Sequence, residues 1–472
     1  MNLGPLPQVI YAAAKRETSA NSPRVLLMFS ALMIMMSTVG HGNSFVRVAV
    51  LIVAGLATGV ALLHPMAVRE GVGKRRAEWA LVISLVEGGL ILTGGTLAQA
   101  FANLGSPLWL VVMVAYVTLG LAAAVLIFRK LPHMRWVFAL FLLVHTAMAV
   151  ALLRSSPAHI DTQVYLHDGA VALFHGHNPY GMTVPNIYTP HQATLFYGPG
   201  VVVNGRVNAG FPYLPVPLFA ATPGILLGDV RYSQLIAMVV TAVVLRRLAS
   251  DRIGRAAAVL GVASLTAMPM LTGGWTEATS VALLACLVLA LQRCRPVFVA
   301  VLLGLLLASK QYFVVVIPLF WLIRGWLTRR VLLIGLGLAA AIILPFFLVD
   351  PGTFWKAITS SQVGPLRADS ISLLVSSVNT YSWPPPWTYG LLPLLGAAIT
   401  AIALTLRAPR TPSAFVAAAG LTLLVAILLS RQAFMNYYFL VSGAFLIAAI
   451  SWPTQQALAP PEQESKDPVL YT

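Results

Sequence analysis

The sequence predicts an all-α polytopic membrane protein, and two observations carry that prediction. Hydrophobic residues make up 58% of the 472 positions and charged residues only 9%. An ordinary soluble domain is about 25% charged, so this chain lacks the polar side chains to cover a water-facing globule. Apolar runs of roughly 20 residues also recur from Arg24 to Trp452, each long enough to cross about 30 Å of hydrocarbon. Backbone groups in lipid must be bonded within their own segment, which selects helices over open strands. The strict alternation of a membrane barrel is absent.

A net charge of +16 would suit nucleic acid, but the Lys and Arg residues sit in short clusters between apolar runs, as membrane topology requires. Three clusters set the orientation: Arg69 with Lys74, Arg75 and Arg76; Arg129 with Lys130 and Arg135; and Arg324 with Arg329 and Arg330. Placed in the cytoplasm, they predict spans near 24–41, 46–64, 79–100, 107–128 and 136–153. Lys15, Arg16 and Arg24 precede the first run, and no small-residue cleavage site follows it. A retained first span with a cytoplasmic N-terminus is therefore expected. The segment from about 154 to 211 then falls on the outer face of the plasma membrane.

Arg246, Arg247, Arg252, Arg255, Arg293 and Arg295 also belong inside, which leaves one crossing too many if 212–228 spans the bilayer. That stretch holds Pro212, Pro215, Pro217 and Pro223, and proline removes a donor and clashes with the preceding turn. A re-entrant segment is expected; the alternative is that one basic loop breaks the rule. Later spans fall near 232–247, 256–272, 276–292, 296–309, 311–326, 331–348, 388–406, 413–430 and 434–451. The count is about 13–15 membrane segments, with a second external loop at 349–387. Residues 1–135 form a four-span extension, 136–452 the main module, and 453–472 a polar cytoplasmic tail expected to be disordered. Cys286 and Cys294 share one predicted helix about 12 Å apart, beyond disulfide reach.

With only 14 acids in the chain, each can be placed. Asp161, Asp168, Glu277, Asp350 and Asp369 fall outside, while Glu87 lies within the third span at a depth similar to His145 in the fifth. Intramembrane acids usually have partners, so a Glu87–His145 contact is expected. Asp161 to Phe174 reads as a short interfacial helix, with Asp161 at its start as a potential cap and Gly176 and Pro179 ending it. Asp161, Tyr165 and Asp168 share one face, the two carboxylates about 10 Å apart along the axis. His159, His167, His175, His177 and His191 crowd the same loop. Asp168 with His175 and His177 is a possible divalent-metal set, although histidines at a membrane interface are more often hydrogen-bonding surface residues.

Asp161, Val164-Tyr165, Gly169-Ala170, Ala172-Leu173 and Gly176 through Asn178-Pro179-Tyr180 resemble the first-external-loop motif of glycosyltransferase family eighty-seven. Gly304-Leu-Leu-Leu-Ala-Ser-Lys310-Gln-Tyr followed by Pro318 is similar to the helix–Lys–helix break of many GT-C proteins, and Ser430 to Tyr438 to a late polar-aromatic segment of that group. The resemblance covers 136–451. It departs from the family in the proline-rich Phe211–Pro217, which matches loosely, and in the four spans that precede the motif.

The resemblance implies a GT-C bundle and a polyprenyl-phosphate sugar donor, commonly mannose, with a lipid- or glycan-linked acceptor. It also implies Asp161 as the base. A carboxylate suits that role because the acceptor hydroxyl must lose its proton as it attacks. Lys310 is the first candidate for the donor phosphate, with Arg206, Arg367 and Arg431 behind it; a snorkelling lysine is the alternative for Lys310. Tyr165, Asp168, His175, Asn178, Tyr180 and Glu277 are candidate substrate contacts. No cofactor is expected. Tyr381-Ser-Trp-Pro-Pro-Pro-Trp387 reads as an interfacial belt or a wall of the site. A transporter for a lipid-linked saccharide is the competing reading; charges near the midplane and repeat-related broken helices would favour it.

Overall fold

A computed structural model of the chain describes residues 22–39, 44–63, 72–103, 105, 107–129, 131, 134–156 and 160–452. The expectations for Lys15, Arg16, Arg69, Lys130, His159 and the tail from Pro453 lie outside the described residues.

Within them the chain is an almost wholly helical bundle. The first five helices are α1 (Ser22–Thr38), α2 (Phe45–Leu63), α3 (Val72–Asn103), α4 (Trp109–Arg129) and α5 (Met134–Ser155). The long segment after α5 carries α6 (Asp161–Phe174), α7 (Pro190–Tyr197) and α8 (Pro215–Leu226). Then come α9 (Tyr232–Leu248), the short α10 (Arg252–Ala256), α11 (Leu260–Ala263) and α12 (Ala267–Thr272), followed by α13 (Glu277–Gln292) and α14 (Pro296–Leu307). A 3₁₀ segment (Gln311–Ile323) precedes α15 (Arg329–Val349), α16 (Pro351–Val363), α17 (Leu373–Tyr381), α18 (Leu391–Arg407), α19 (Pro412–Leu428) and α20 (Met435–Ser451). Among the described residues, 6 helical stretches are long and apolar enough to cross a membrane, one of them, Arg252–Thr272, made up of α10 to α12. The apolar exteriors of α15 and α18, with Leu333, Leu348, Ile399 and Leu406 exposed, fit a multi-pass membrane protein.

Helices appear within a few residues of the expected spans, and the departures have local causes. The span predicted at 256–272 is broken: Ser264 is extended between α11 and α12. Gly89 of α3 lies against this break, where a Cβ would sit 1.9 Å from the Ala263 carbonyl oxygen. Segment 311–323 is a 13-residue 3₁₀ run containing Pro318. At about 2.0 Å per residue it covers about 26 Å, so a short stretch nearly matches the hydrocarbon core. By contrast the 12 residues of α8 rise only about 18 Å, short of a crossing. Among the described residues the first loop also holds strands that were not expected. They are β1 (Val184–Pro185), β2 (Val202–Val203) and β3 (Arg206–Val207), antiparallel in the order β1-β3-β2. The β2–β3 turn is Asn204-Gly205, both at positive φ, the pairing that a tight hairpin selects.

The first four helices share one continuous apolar core with the later ones; Leu27 of α1 and Ile447 of α20 belong to the same cluster. The Arg24 guanidinium forks onto the Asp251 carboxylate, with Nη2 to Oδ1 at 2.9 Å. This pair closes one end of the bundle, next to the basic residues of α9 and α10. At the other end of α9, Arg231 grips Asp229 at 2.7 Å and donates to the carbonyls of Leu153 (2.6 Å) and Ser156 (2.9 Å). The 17 residues of α9 hold the two ends about 25 Å apart.

The expected Glu87–His145 contact does not form. His145 is fully buried and its Nδ1 shares a hydrogen bond of 2.8 Å with the Tyr116 hydroxyl, whereas Glu87 is exposed. The tyrosine of α4, rather than the acid of α3, lies against the imidazole. Cys286 and Cys294 are free thiols.

Candidate functional site

A cavity of about 900 Å³ opens at the Arg231 end of the bundle. Its wall includes Asp161 and Tyr165 of α6, Tyr197 of α7, Lys310, Lys356 and Arg367. Segments far apart in the chain contribute to it, from Val39 after α1 through 269–275 and 310–312 to 432–437, together with the stretches 160–213 and 356–371.

Asp161 is the first residue of α6. Ile160 occupies the position before it, and no side chain caps the helix, so the capping role expected of Asp161 is not realised. Its Oδ2 instead accepts from the Tyr197 hydroxyl at 2.9 Å, and its backbone N–H donates to the Tyr188 hydroxyl at 3.3 Å. Desolvation pushes the Asp161 carboxyl above its ordinary value, and the Tyr197 bond and the positive charge of Arg367 pull against that shift. Burial and the neighbouring Asp161 charge push the phenols of Tyr188 and Tyr197 up. They stay protonated and act as donors to the carboxylate. A carboxylate with raised proton affinity, held by neutral donors on a cavity wall, is suited to accept a proton.

Tyr197 reaches Asp161 because α7 is firmly started. Thr189 and Gln192 form a capping box, with Pro190 at the first turn. Gly198, at φ +92°, turns the chain immediately after the tyrosine. The same helix supplies Phe196, whose ring lies 3.9 Å from the Arg367 guanidinium carbon; Phe434 covers the guanidinium from 4.7 Å. Asp369 accepts from Arg367 Nε at 2.9 Å and from Nη2 at 2.8 Å. Arg367 is thus held flat beside the cavity by two aromatic faces and one carboxylate.

Lys310 stands at the break between α14 and the 3₁₀ segment, in an extended backbone conformation. Its side chain does not snorkel. Lys310 and Glu277 are 2% and 1% exposed, and Nζ donates to Oε1 at 3.1 Å. The ammonium also sits 3.5 Å from the centre of the Tyr213 ring. Glu277 therefore compensates Lys310, and its other oxygen has no partner.

The remaining candidates divide between support and surface. Tyr180 is buried and donates to the Tyr213 carbonyl at 2.8 Å, while Asn178 accepts from the Tyr180 N–H at 3.1 Å. Phe211 N–H donates to the Pro179 carbonyl at 3.2 Å. The Asn-Pro-Tyr stretch thereby positions Tyr213, and Tyr213 in turn meets Lys310. Gly210 makes this approach possible: it has φ +67°, and a Cβ there would stand 2.1 Å from the Tyr180 carbonyl oxygen. Asp168 pairs with His167 at 3.0 Å, and His175 Nδ1 bonds the Val171 carbonyl at 2.8 Å. Arg206 donates to the Thr183 hydroxyl at 2.7 Å and to its carbonyl, and Arg431 Nη1 donates to the Gly364 carbonyl at 3.1 Å. None of Asp168, His175, Arg206 or Arg431 lines the cavity. No group of three or more His, Cys, Asp or Glu gathers at metal-binding distance among the described residues.

No protein-family model, curated protein or solved structure matches the chain.

Sequence reasoning passed over Tyr188, Tyr197, Lys356, Gln311 and Asn436, all of which line the cavity. Only the interfacial aromatic content of 188–197 signalled the first two. Gln311 and Asn436 lie within the two later segments quoted above but carry no spacing rule of their own.

Proposed function

We propose that this chain is an integral-membrane glycosyltransferase of the GT-C type. It moves a hexose, with mannose the first choice, from a polyprenyl-phosphate sugar to a lipid- or glycan-linked acceptor on the outer face, inverting the anomeric centre. The observation that carries the reading is the Asp161 carboxylate, desolvated and held by Tyr197, on a cavity wall shared with cations. The loop resemblance from Asp161 to Tyr180 supports the same residue independently.

In the proposed reaction the acceptor hydroxyl gives its proton to Asp161 as its oxygen bonds the anomeric carbon. The bond from that carbon to the phosphate oxygen breaks, and the electron pair leaves with polyprenyl phosphate. Preorganised cations at the point of developing charge lower the barrier more than the same groups in water. Lys310 is already paired to Glu277, so Arg367 and Lys356 are the first choice for the phosphate.

Purified protein in lipid nanodiscs, given a labelled polyprenyl-phosphate mannose and an acceptor lipid, is expected to form a glycosidic product. Asp161→Asn is expected to lose at least about a hundredfold in rate with an unchanged elution profile. Full turnover by that variant removes Asp161 as base. Movement of the lipid-linked sugar across sealed vesicles with no glycosidic product favours the transporter.

A further inference from the structure

Glu87 stands near the middle of an apolar helix, on the face turned away from the bundle. The stretch Glu78–Gln99 of α3 is long and apolar enough to cross a membrane, and Glu87 lies about 13 Å from one of its ends and about 18 Å from the other. Long Lys and Arg stems reach an interface from such depths, but the shorter glutamate stem does not. Nor can the helix turn the acid inward. Leu85 is fully buried, and a Cβ on Gly89 would sit 1.9 Å from the Ala263 carbonyl oxygen. Each is two residues from Glu87, about 200° around the helix, so packing on that side fixes Glu87 on the outside. It is exposed, and it makes no hydrogen bond or ion pair among the described residues. Acids within a bilayer are rare, and they face a bundle interior, a watery cavity or a partner. Exposure excludes the first, and the large cavity does not include Glu87 in its wall.

We propose that this face of α3 docks a transmembrane helix of another protein, one that carries a Lys or Arg near its own midpoint. The cation pairs with Glu87, and each charge removes the other's cost in hydrocarbon. The surrounding surface suits a helix. Ala80 and Ser84 share the exposed strip with Glu87, and Ile83 and Ile91 flank it. Small side chains let two helix backbones approach closely, and the serine hydroxyl adds a hydrogen-bonding group at the contact. Charge decides against a second copy of this chain. Copies inserted in the same direction keep equivalent residues at equal depth. Exposed arginines of the apolar helices, such as Arg129, Arg154, Arg329 and Arg407, stand in the first or last turn. A second copy packed here would bring another acid to Glu87 and no cation. The docking face also gives a role to the four-span extension, where the chain departs from the glycosyltransferase resemblance.

The test places the full-length protein in phosphatidylcholine vesicles with a synthetic Leu/Ala transmembrane peptide of about 20 residues that carries one central Lys. Association is read by energy transfer between labels on peptide and protein. Two control peptides have Leu in place of the Lys, or the Lys moved toward one end. The central-Lys peptide is expected to associate at least about fivefold more strongly than either control. Glu87→Leu is expected to bring that ratio to one, and Glu87→Asp to keep most of it. The melting temperature of Glu87→Leu should not fall, because the acid has no partner within the described chain. A wild-type ratio near one, or a ratio that Glu87→Leu leaves unchanged, overturns the proposal. A lower melting temperature in Glu87→Leu also overturns it, since that marks an acid the chain uses internally. A wild-type dimer that Glu87→Leu converts to a monomer gives the face to a second copy and does the same. None of these readouts involves sugar transfer, so the docking face stands or falls apart from the transferase reading.

Discussion

Replacing Tyr197 by phenylalanine separates the proton affinity of Asp161 from its position. The Tyr197 hydroxyl donates to Asp161 Oδ2 at 2.9 Å and favours the ionised carboxylate, whereas desolvation favours the protonated one. A hydrogen bond to a charged group contributes about 1.5–3 kcal/mol, and one pKa unit corresponds to about 1.4 kcal/mol. Tyr197 is only half-buried, so solvent replaces part of the loss and the lower end applies. The Asp161 pKa is then expected to rise by about one unit in Tyr197→Phe. A general base acts in its ionised form, so kcat/KM falls on the acid side as Asp161 protonates. The acid limb of the pH–rate profile should therefore move about one unit toward higher pH, while the plateau above it holds within about twofold. Initial rates with polyprenyl-phosphate mannose across the pH range measure this directly. A limb that stays in place or moves down refutes the assignment, as does an Asp161→Asn enzyme that keeps the same limb.

Asp161→Asn should also report on stability. A folded-state pKa above the unfolded value means that ionisation favours the unfolded chain, so the carboxylate lowers stability as pH rises through that window. The asparagine variant is expected to melt higher than wild type at neutral pH, and the gain should vanish below the ordinary carboxylate range. Glu277→Gln leaves the buried Lys310 without its counter-charge and is expected to lose about 3–5 kcal/mol, read as a lower melting temperature. Replacing both partners with Leu and Met should recover most of that loss. Gly210→Ala forces a Cβ to within 2.1 Å of the Tyr180 carbonyl at φ +67°. Loss of at least about 2 kcal/mol, with protease sensitivity in 178–214, is the expected outcome.

The order of apolar helices was legible because it depends on local composition. A run of apolar residues between basic clusters declares a span whatever its neighbours are, and the observed helices follow the predicted ones closely. The helix Asp161–Phe174 was legible for a similar reason, since Gly176 and Pro179 stop it locally. What sequence could not supply is pairing across long separations. Lys310 reads as a free phosphate ligand until Glu277, 33 positions away, appears at 3.1 Å. The Glu87–His145 expectation failed in the same way: depth in the bilayer can be estimated from sequence, but the face a helix turns toward its neighbour cannot. The loop strands escaped notice because each is two residues long, too short for alternation to show.

The pairing of Lys310 also bears on where leaving-group charge is met in the proposed transfer. A lysine this deep, unpaired, would carry a heavy desolvation penalty, and Glu277 with the Tyr213 ring removes most of it. The same compensation leaves little field for a phosphate. Arg367 differs in both respects. Asp369 takes Nε and Nη2, but the guanidinium has further donors on Nη1, and Asp369 is 50% exposed, so its counter-charge is screened by water. The two phenylalanine faces fix the guanidinium plane without neutralising it. Electrostatic catalysis needs a charge that is held in place beforehand and still uncompensated. By that criterion Arg367, rather than the lysine at the helix break, is the cation we propose for the phosphate.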